Sequence, residues 1–273
     1  MSVLMIFTIL FYMLSAAGYL AYLFLQKEYL QKAGYALLLG GLLCQTAILI
    51  FDTFTVGHIP VRNFRETLFI AGWAVAVVFL SIQFKYRLKI LGIYAAPLAA
   101  MILVIAAQLP PEPVEAKTAL NSLWLFSHIF AIFIGEAALA LACGIGVLYL
   151  LQERTIKTKQ HRFFFKRLPS LDLLDTAGYA CIVVGFTLLS LGLITGFVYA
   201  KSVWGRFWSW DPKEVWSGIT WLFYAALLHE RLAAGWRGRR SAIMAIIGFA
   251  VLLFTFLGVN FLLKGHHGVF TAG

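Results

Sequence analysis

VLMIFTILFYMLSAAGYLAYLFL, residues 3–25, runs for 23 positions without a charged side chain. A helix that crosses the hydrocarbon core of a bilayer needs about 20 apolar residues. This stretch is long enough to cross. It is too long for the apolar region of a typical signal peptide and has no basic segment before it, so it reads as a first span and not as a cleaved leader. Working outward, the pattern recurs. Eight candidate spans follow one another, at roughly 2–26, 33–51, 66–84, 89–108, 122–152, 174–200, 212–234 and 241–262. Backbone groups in lipid must be satisfied within the protein, which leaves helices or a closed barrel. The apolar–polar alternation of a membrane barrel is absent. The expected fold is an all-α integral membrane protein: a bundle of about eight transmembrane helices forming one polytopic domain over residues 1–273.

Composition agrees. Of the 273 residues, 62% are hydrophobic and 12% charged, and the mean hydropathy is +0.86. A soluble domain is about 45–50% apolar and about 25% charged. A single water-soluble globule, a disordered chain and a collagen-like chain are therefore excluded. Fifteen of the 22 Lys and Arg residues fall in four connections. These hold Lys27 and Lys32; Lys85, Arg87 and Lys89; Arg154 through Arg167; and Arg231 through Arg240. The remaining basic residues share the other side with six acids, Asp52, Glu66, Glu112, Glu115, Asp211 and Glu214. Basic connections face the cytoplasm, which places both termini on the outer side. The net charge of +10 is then met by anionic headgroups, and no nucleic-acid partner is needed to explain it. The basic connection at about 153–173, with Phe163, Phe164 and Phe165, suits a helix lying in the membrane interface. Pro97 falls mid-span and is expected to kink the fourth helix. Cys44, Cys143 and Cys181 lie singly in apolar runs, as inert thiols without a disulfide or a metal site.

Chemistry concentrates at the outer side. Residues 204–216 read WGRFWSWDPKEVW, and with Trp221 they hold five of the eight tryptophans within 18 residues. An interfacial aromatic belt needs one or two per helix end. The density points to a flat, polarizable platform for a large planar apolar ligand, occupying residues 201–221. Asp211-Pro212-Lys213-Glu214 also has the form of a helix start, with Asp211 as N-cap and Glu214 completing a capping box. Capping alone accounts for both acids. Asn63-Phe64-Arg65-Glu66 has the same form. His128 lies one to two turns inside the fifth span from its outer end, and His266 and His267 are in the outer tail. Two imidazoles flanking an aromatic platform can supply both axial ligands to a haem iron. His229, 17 residues past Pro212, or about 26 Å of helix, belongs to the inner leaflet.

W-G-x-x-W-x-W-D followed by P-K-E-x-W resembles the tryptophan-rich WWD signature of haem-handling membrane proteins. Further matches appear in order along the chain. They are Gly57-His58-Ile59-Pro60-Val61-x-Asn63-x-x-Glu66, Thr220-Trp221 with Leu228-His229-x-Arg231, and Gly258-Val259-Asn260 with a histidine at the end. The ordered set resembles the CcsA (ResC) family, the membrane subunit of the system II cytochrome c synthase.

This resemblance implies haem b as the bound cofactor, presented at the extracytoplasmic face to an apocytochrome c carrying C-x-x-C-H. His128 and His267 match the outer axial pair, with His266 as the alternative to His267. His229 matches a transmembrane haem ligand whose partner histidine lies in a CcsB (ResB) subunit. Trp204, Trp208, Trp210 and Asp211 match the signature itself. The chain would then be part of a holocytochrome c synthase (haem lyase) complex, with thioredoxin-like reductants acting indirectly on the substrate thiols. Where the family has a single histidine followed by Ser-Tyr-Gly, this chain has His266-His267-Gly268-Val269, and spacing from Asn260 favours His267. Two other readings compete. A HemX-like regulator of haem synthesis shares the eight-span plan and the short outer loops. A small-solute transporter would line a path with intramembrane acids, and Glu136 is the sole carboxylate deep in a span.

Overall fold

The computed structural model describes residues 3–56, 61, 63–110, 123–159 and 167–258. Within them every regular element is helical. In order these are α1 (Val3–Leu25), α2 (Glu28–Val56), α3 (Phe64–Tyr86), a 3₁₀ turn (Lys89–Leu91) running into α4 (Gly92–Gln108), α5 (Leu123–Lys157), α6 (Leu171–Trp204), α7 (Pro212–Ala233) and α8 (Arg239–Leu253), which closes in a π turn (Phe254–Gly258). Seven of them, counting α4 with its 3₁₀ turn and α8 with its π turn, are long and apolar enough to cross a membrane. The eighth, α7, has 22 residues and carries Lys213, Glu214, His229, Glu230 and Arg231. The chain is a multi-pass integral membrane protein.

Every expected span coincides with a helix, and the differences are in length. α2 overruns 33–51 at both ends, while α5 and α6 run on to Lys157 and Trp204. Hydropathy reports only the apolar middle of a helix. Glu, Lys, Gln and Arg are good helix formers and carry the coil out of the apolar zone. Asn63 caps α3, accepting from the Glu66 N–H at 2.9 Å and donating from Nδ2 to Glu66 Oε1 at 3.1 Å, as its sequence form implies. Pro97 lies inside α4. The Phe163–Phe165 run lies outside the described residues.

α5 is the central helix, buried over most of its length, with α6 and α8 packed along it. α3 joins it to a second group in which α1 packs on α2 and α4, and α3 on α4. Lipid gives helices no hydrophobic reason to associate, so close approach of backbones matters more. A Cβ on Gly135 of α5 would come 3.1 Å from the Gly185 carbonyl oxygen of α6, so the two backbones meet there without side chains between them. Interhelical hydrogen bonds do the same work among α1, α2 and α3. Tyr12 donates to Gln45 Oε1 at 2.7 Å, Gln45 donates to the Phe69 carbonyl at 2.7 Å, and Tyr19 donates to Gln83 Oε1 at 2.8 Å.

The two ends of the bundle differ in chemistry. At one end the starts of α3, α5 and α7 meet the ends of α6 and α8, through Phe64–Phe256, Trp216–Phe254 and Phe197–Trp208 ring contacts. At the other, Lys89 pairs with Glu28 at 3.1 Å and Arg167 donates to the Phe24 carbonyl at 3.1 Å. The basic connections gather at that second end.

Candidate functional site

The segment between α6 and α7 is built by its two helix ends. α6 stops because Gly205 takes φ +73° and its N–H closes on the Lys201 carbonyl at 3.1 Å. Only a residue without Cβ enters that left-handed region without penalty. Lys201 then reaches the Gly205 carbonyl at 2.8 Å and lies 5.4 Å from the centre of the Phe207 ring. α7 starts with Asp211 as N-cap, accepting from the Lys213 N–H at 2.9 Å, and with Pro212 in its first turn. The capping box expected from the sequence is present. Glu214 does more than complete it. Its carboxylate accepts from the Ser209 N–H at 2.7 Å, the Ser209 hydroxyl at 2.9 Å and the Asp211 N–H at 3.4 Å. Asp211 is buried, so its part here is to cap the helix. Replacing Glu214 with alanine is expected to destabilise this segment by about 1–2 kcal/mol. Chymotrypsin should then cut at Phe207, Trp208 or Trp210 faster than in the parent, while Glu214→Gln should stay close to it.

The five tryptophans divide into two roles. Trp216 packs on Phe254 with ring centres 4.4 Å apart, and Trp221 stacks on Phe186 while donating to Ser190 Oγ at 2.8 Å. These two bolt α7 to α8 and α6. Trp210 faces outward from the loop, Trp208 is half-buried against Phe197, and α6 ends at Trp204. The Trp208 ring meets Phe197 at 5.6 Å and Trp210 at 5.8 Å, the two indole planes standing 87° apart. The surface is therefore not one flat sheet: a planar ligand stacked on one indole meets the edge of the other. Trp210 holds φ +59° and is 78% exposed. A bulky residue in the left-handed region is uncommon and costs of order 1–3 kcal/mol. The strain serves to turn the ring out of the protein. Trp208 Nε1–H is buried with no acceptor among the described residues, a donor facing a place where an acceptor belongs.

His128 comes to the same place from α5. Its Nδ1 lies 2.7 Å from the Gly192 carbonyl oxygen of α6. A carbonyl only accepts, so Nδ1 is the nitrogen that carries a proton toward it. Gly196, which backs the ring, is followed directly by Phe197, which touches Trp208. His128 and Trp208 thus share one turn of α6. His229 is elsewhere: it lies near the other end of α7, on an exposed face with Ile219, Leu222 and Leu232. His266 and His267 lie outside the described residues. Among the described residues no three His, Cys, Asp or Glu side chains converge. Glu136 lies two turns inside His128 on α5, where its charge is within reach of Lys213.

One cluster escaped the sequence reading. Arg231 grips Asp175 of α6 with both ends of its guanidinium, Nη1 to Oδ1 at 2.9 Å and Nη2 to Oδ2 at 2.7 Å. The Gly238 N–H adds a bond to Oδ1 at 2.8 Å, and the guanidinium lies 4.2 Å over the Tyr179 ring. Asp175 and Arg231 are 56 positions apart in sequence. The sole available signal was an acid and an arginine each placed just inside the inner end of an apolar run.

A family model described as cytochrome C assembly protein matches residues 61–267. Cytochrome c biogenesis protein CcsA of Prochlorococcus marinus (strain MIT 9301) is 38% identical over 245 residues, covering 81% of this chain and 79% of that protein. CcsA of Synechococcus sp. (strain JA-3-3Ab) is 32% identical over 299 residues, covering 89% and 87%. Among solved structures, the cytochrome c heme lyase CcmF superposes with a TM-score of 0.64 at 16% identity over 93% of this chain. The match takes in 46% of CcmF, so this chain spans about half that protein's length, and the likeness is one of fold.

Proposed function

This chain belongs to the cytochrome c assembly family and is a membrane protein of cytochrome c biogenesis, and from that premise we propose that it holds haem at the tryptophan loop and presents it to an apocytochrome with a reduced C-x-x-C-H motif. One observation carries the reading: His128 is held by its Nδ1 on the Gly192 carbonyl of α6, on the same turn of α6 as Phe197, which packs on Trp208. Imidazoles that bind metals are held this way, the second ring nitrogen fixing tautomer and aim. Other features of the site suit a porphyrin. Trp208 brings an unmatched N–H donor, and Trp210 offers an exposed indole face.

In this proposal His128 and His267 are the axial pair, with His266 the alternative to His267. The basic end of the bundle faces the cytoplasm, which puts the tryptophan loop and both termini outside. His229 takes haem b in the inner half of the membrane. A lone imidazole on an otherwise apolar, outward helix face calls for a partner, and its place on the exposed side of α7 supports a ligand shared with a second subunit of the CcsB type. Haem, when bound, supplies the vinyl groups that the thiols of the apocytochrome attack. This chain brings no nucleophile. His128 would hold the iron through a ring nitrogen, the indoles would orient the porphyrin and shield it from water, and the contribution to rate would be orientation. A HemX-like role would use the same site without an apocytochrome.

Purified protein should show the absorption of a six-coordinate, low-spin b-type haem. His229→Ala should leave the outer site largely empty; normal outer occupancy in that variant would eliminate the transfer route from the inner leaflet.

A further inference from the structure

The placement of His128 is decided by α6. A Cβ built on Gly196 would lie 2.8 Å from His128 Nδ1 and 2.9 Å from Cε1, closer than atoms in contact can sit. One built on Gly192 would meet Ile132, the α5 residue one turn on, at its Cδ1 (2.5 Å) and Cγ1 (2.7 Å). Two glycines one turn apart therefore open a groove in α6 that takes two α5 side chains one turn apart. The groove is also chemically specific. The Gly192 carbonyl receives His128 Nδ1–H at 2.7 Å and the Thr195 hydroxyl at 3.0 Å.

We propose that this groove is the positioning element of the outer haem site, with Gly196 as its determining residue. By lacking a side chain Gly196 admits the imidazole, and the Gly192 carbonyl holds its Nδ1, so together they set the place of the ring. Gly196 touches no ligand; it acts through His128. The inference rests on the haem-binding reading above and deepens it.

The test reads ligation rather than output. Alanine favours the helix over glycine by about 1 kcal/mol, so Gly196→Ala retains α6, but its methyl displaces the ring. The spectrum should change from six-coordinate low-spin to five-coordinate high-spin. Haem affinity should fall by roughly 10- to 100-fold, and added imidazole should restore the low-spin form. Gly178→Ala, far along α6 from the groove, where the nearest atom to the new methyl is Ile145 Cγ2 at 3.3 Å, should remain six-coordinate. A second comparison avoids any clash with the ring. In a His128→Ala background the Gly196→Ala methyl fills the slot that added imidazole needs, so imidazole should bind roughly tenfold more weakly than to His128→Ala alone. A low-spin Gly196→Ala protein of parental affinity, equal imidazole affinity in the two His128→Ala backgrounds, or an equal loss in Gly178→Ala would each overturn the proposal. Six-coordinate haem in His128→Ala by itself strikes the ligand assignment instead, which separates the two failures.

Discussion

His128→Ala is expected to strip the purified protein of low-spin haem, with retained haem falling more than roughly tenfold and recovering when imidazole is supplied. The size of the effect follows from the site having few other handholds. In the proposed site the indoles would add stacking, which is worth only about 1–3 kcal/mol per aromatic contact, whereas the imidazole would hold the iron itself. His267→Ala should behave alike, whereas His266→Ala should keep the parental spectrum; the reverse order would exchange those two roles. Holocytochrome formation should track the spectrum in every variant and return with imidazole. Unaltered spectra in both His128→Ala and His267→Ala would remove the axial pair.

The second large effect concerns the opposite end of the bundle. Asp175→Asn leaves the Arg231 guanidinium charged and mostly enclosed, 8% exposed along its side chain, without its carboxylate. Breaking one side of a buried ion pair costs about 3–5 kcal/mol. Thermal unfolding in detergent should show a large drop in midpoint. Replacing both residues, as Asp175→Asn with Arg231→Met, should recover most of it, because the unpaired charge goes too. A single variant as stable as the parent would mean that water reaches the guanidinium and the pair is a surface one.

Much of this was legible in the chain. The apolar runs announce the helices because lipid leaves no other way to satisfy the backbone, and Asn63 and Asp211 announce helix starts because their short side chains reach the N–H groups of the first turn. What stayed hidden is set by contacts between distant segments. No spacing rule ties Asp175 to Arg231. Tryptophan density marks the loop but not the division of labour within it, since only packing against Phe254 and Phe186 removes Trp216 and Trp221 from the exposed surface. Likewise the motif names His128, yet which nitrogen carries the proton depends on a carbonyl in another helix. Helix ends were misplaced where polar side chains continue a coil that hydropathy no longer sees.

α6 has 34 residues, about 51 Å of coil at 1.5 Å per residue, against a hydrocarbon layer of about 30 Å. Tilting absorbs part of that excess; the remainder stands clear of the acyl chains. Where that excess lies on the tryptophan side, the stretch that follows, Gly205 to Asp211, stands at the level of the lipid headgroups. Under the proposed function a water-borne apocytochrome then reaches the exposed Trp210 indole without shedding its hydration shell to enter the bilayer, and a greasy cofactor and a soluble client would each stay in the solvent that suits it.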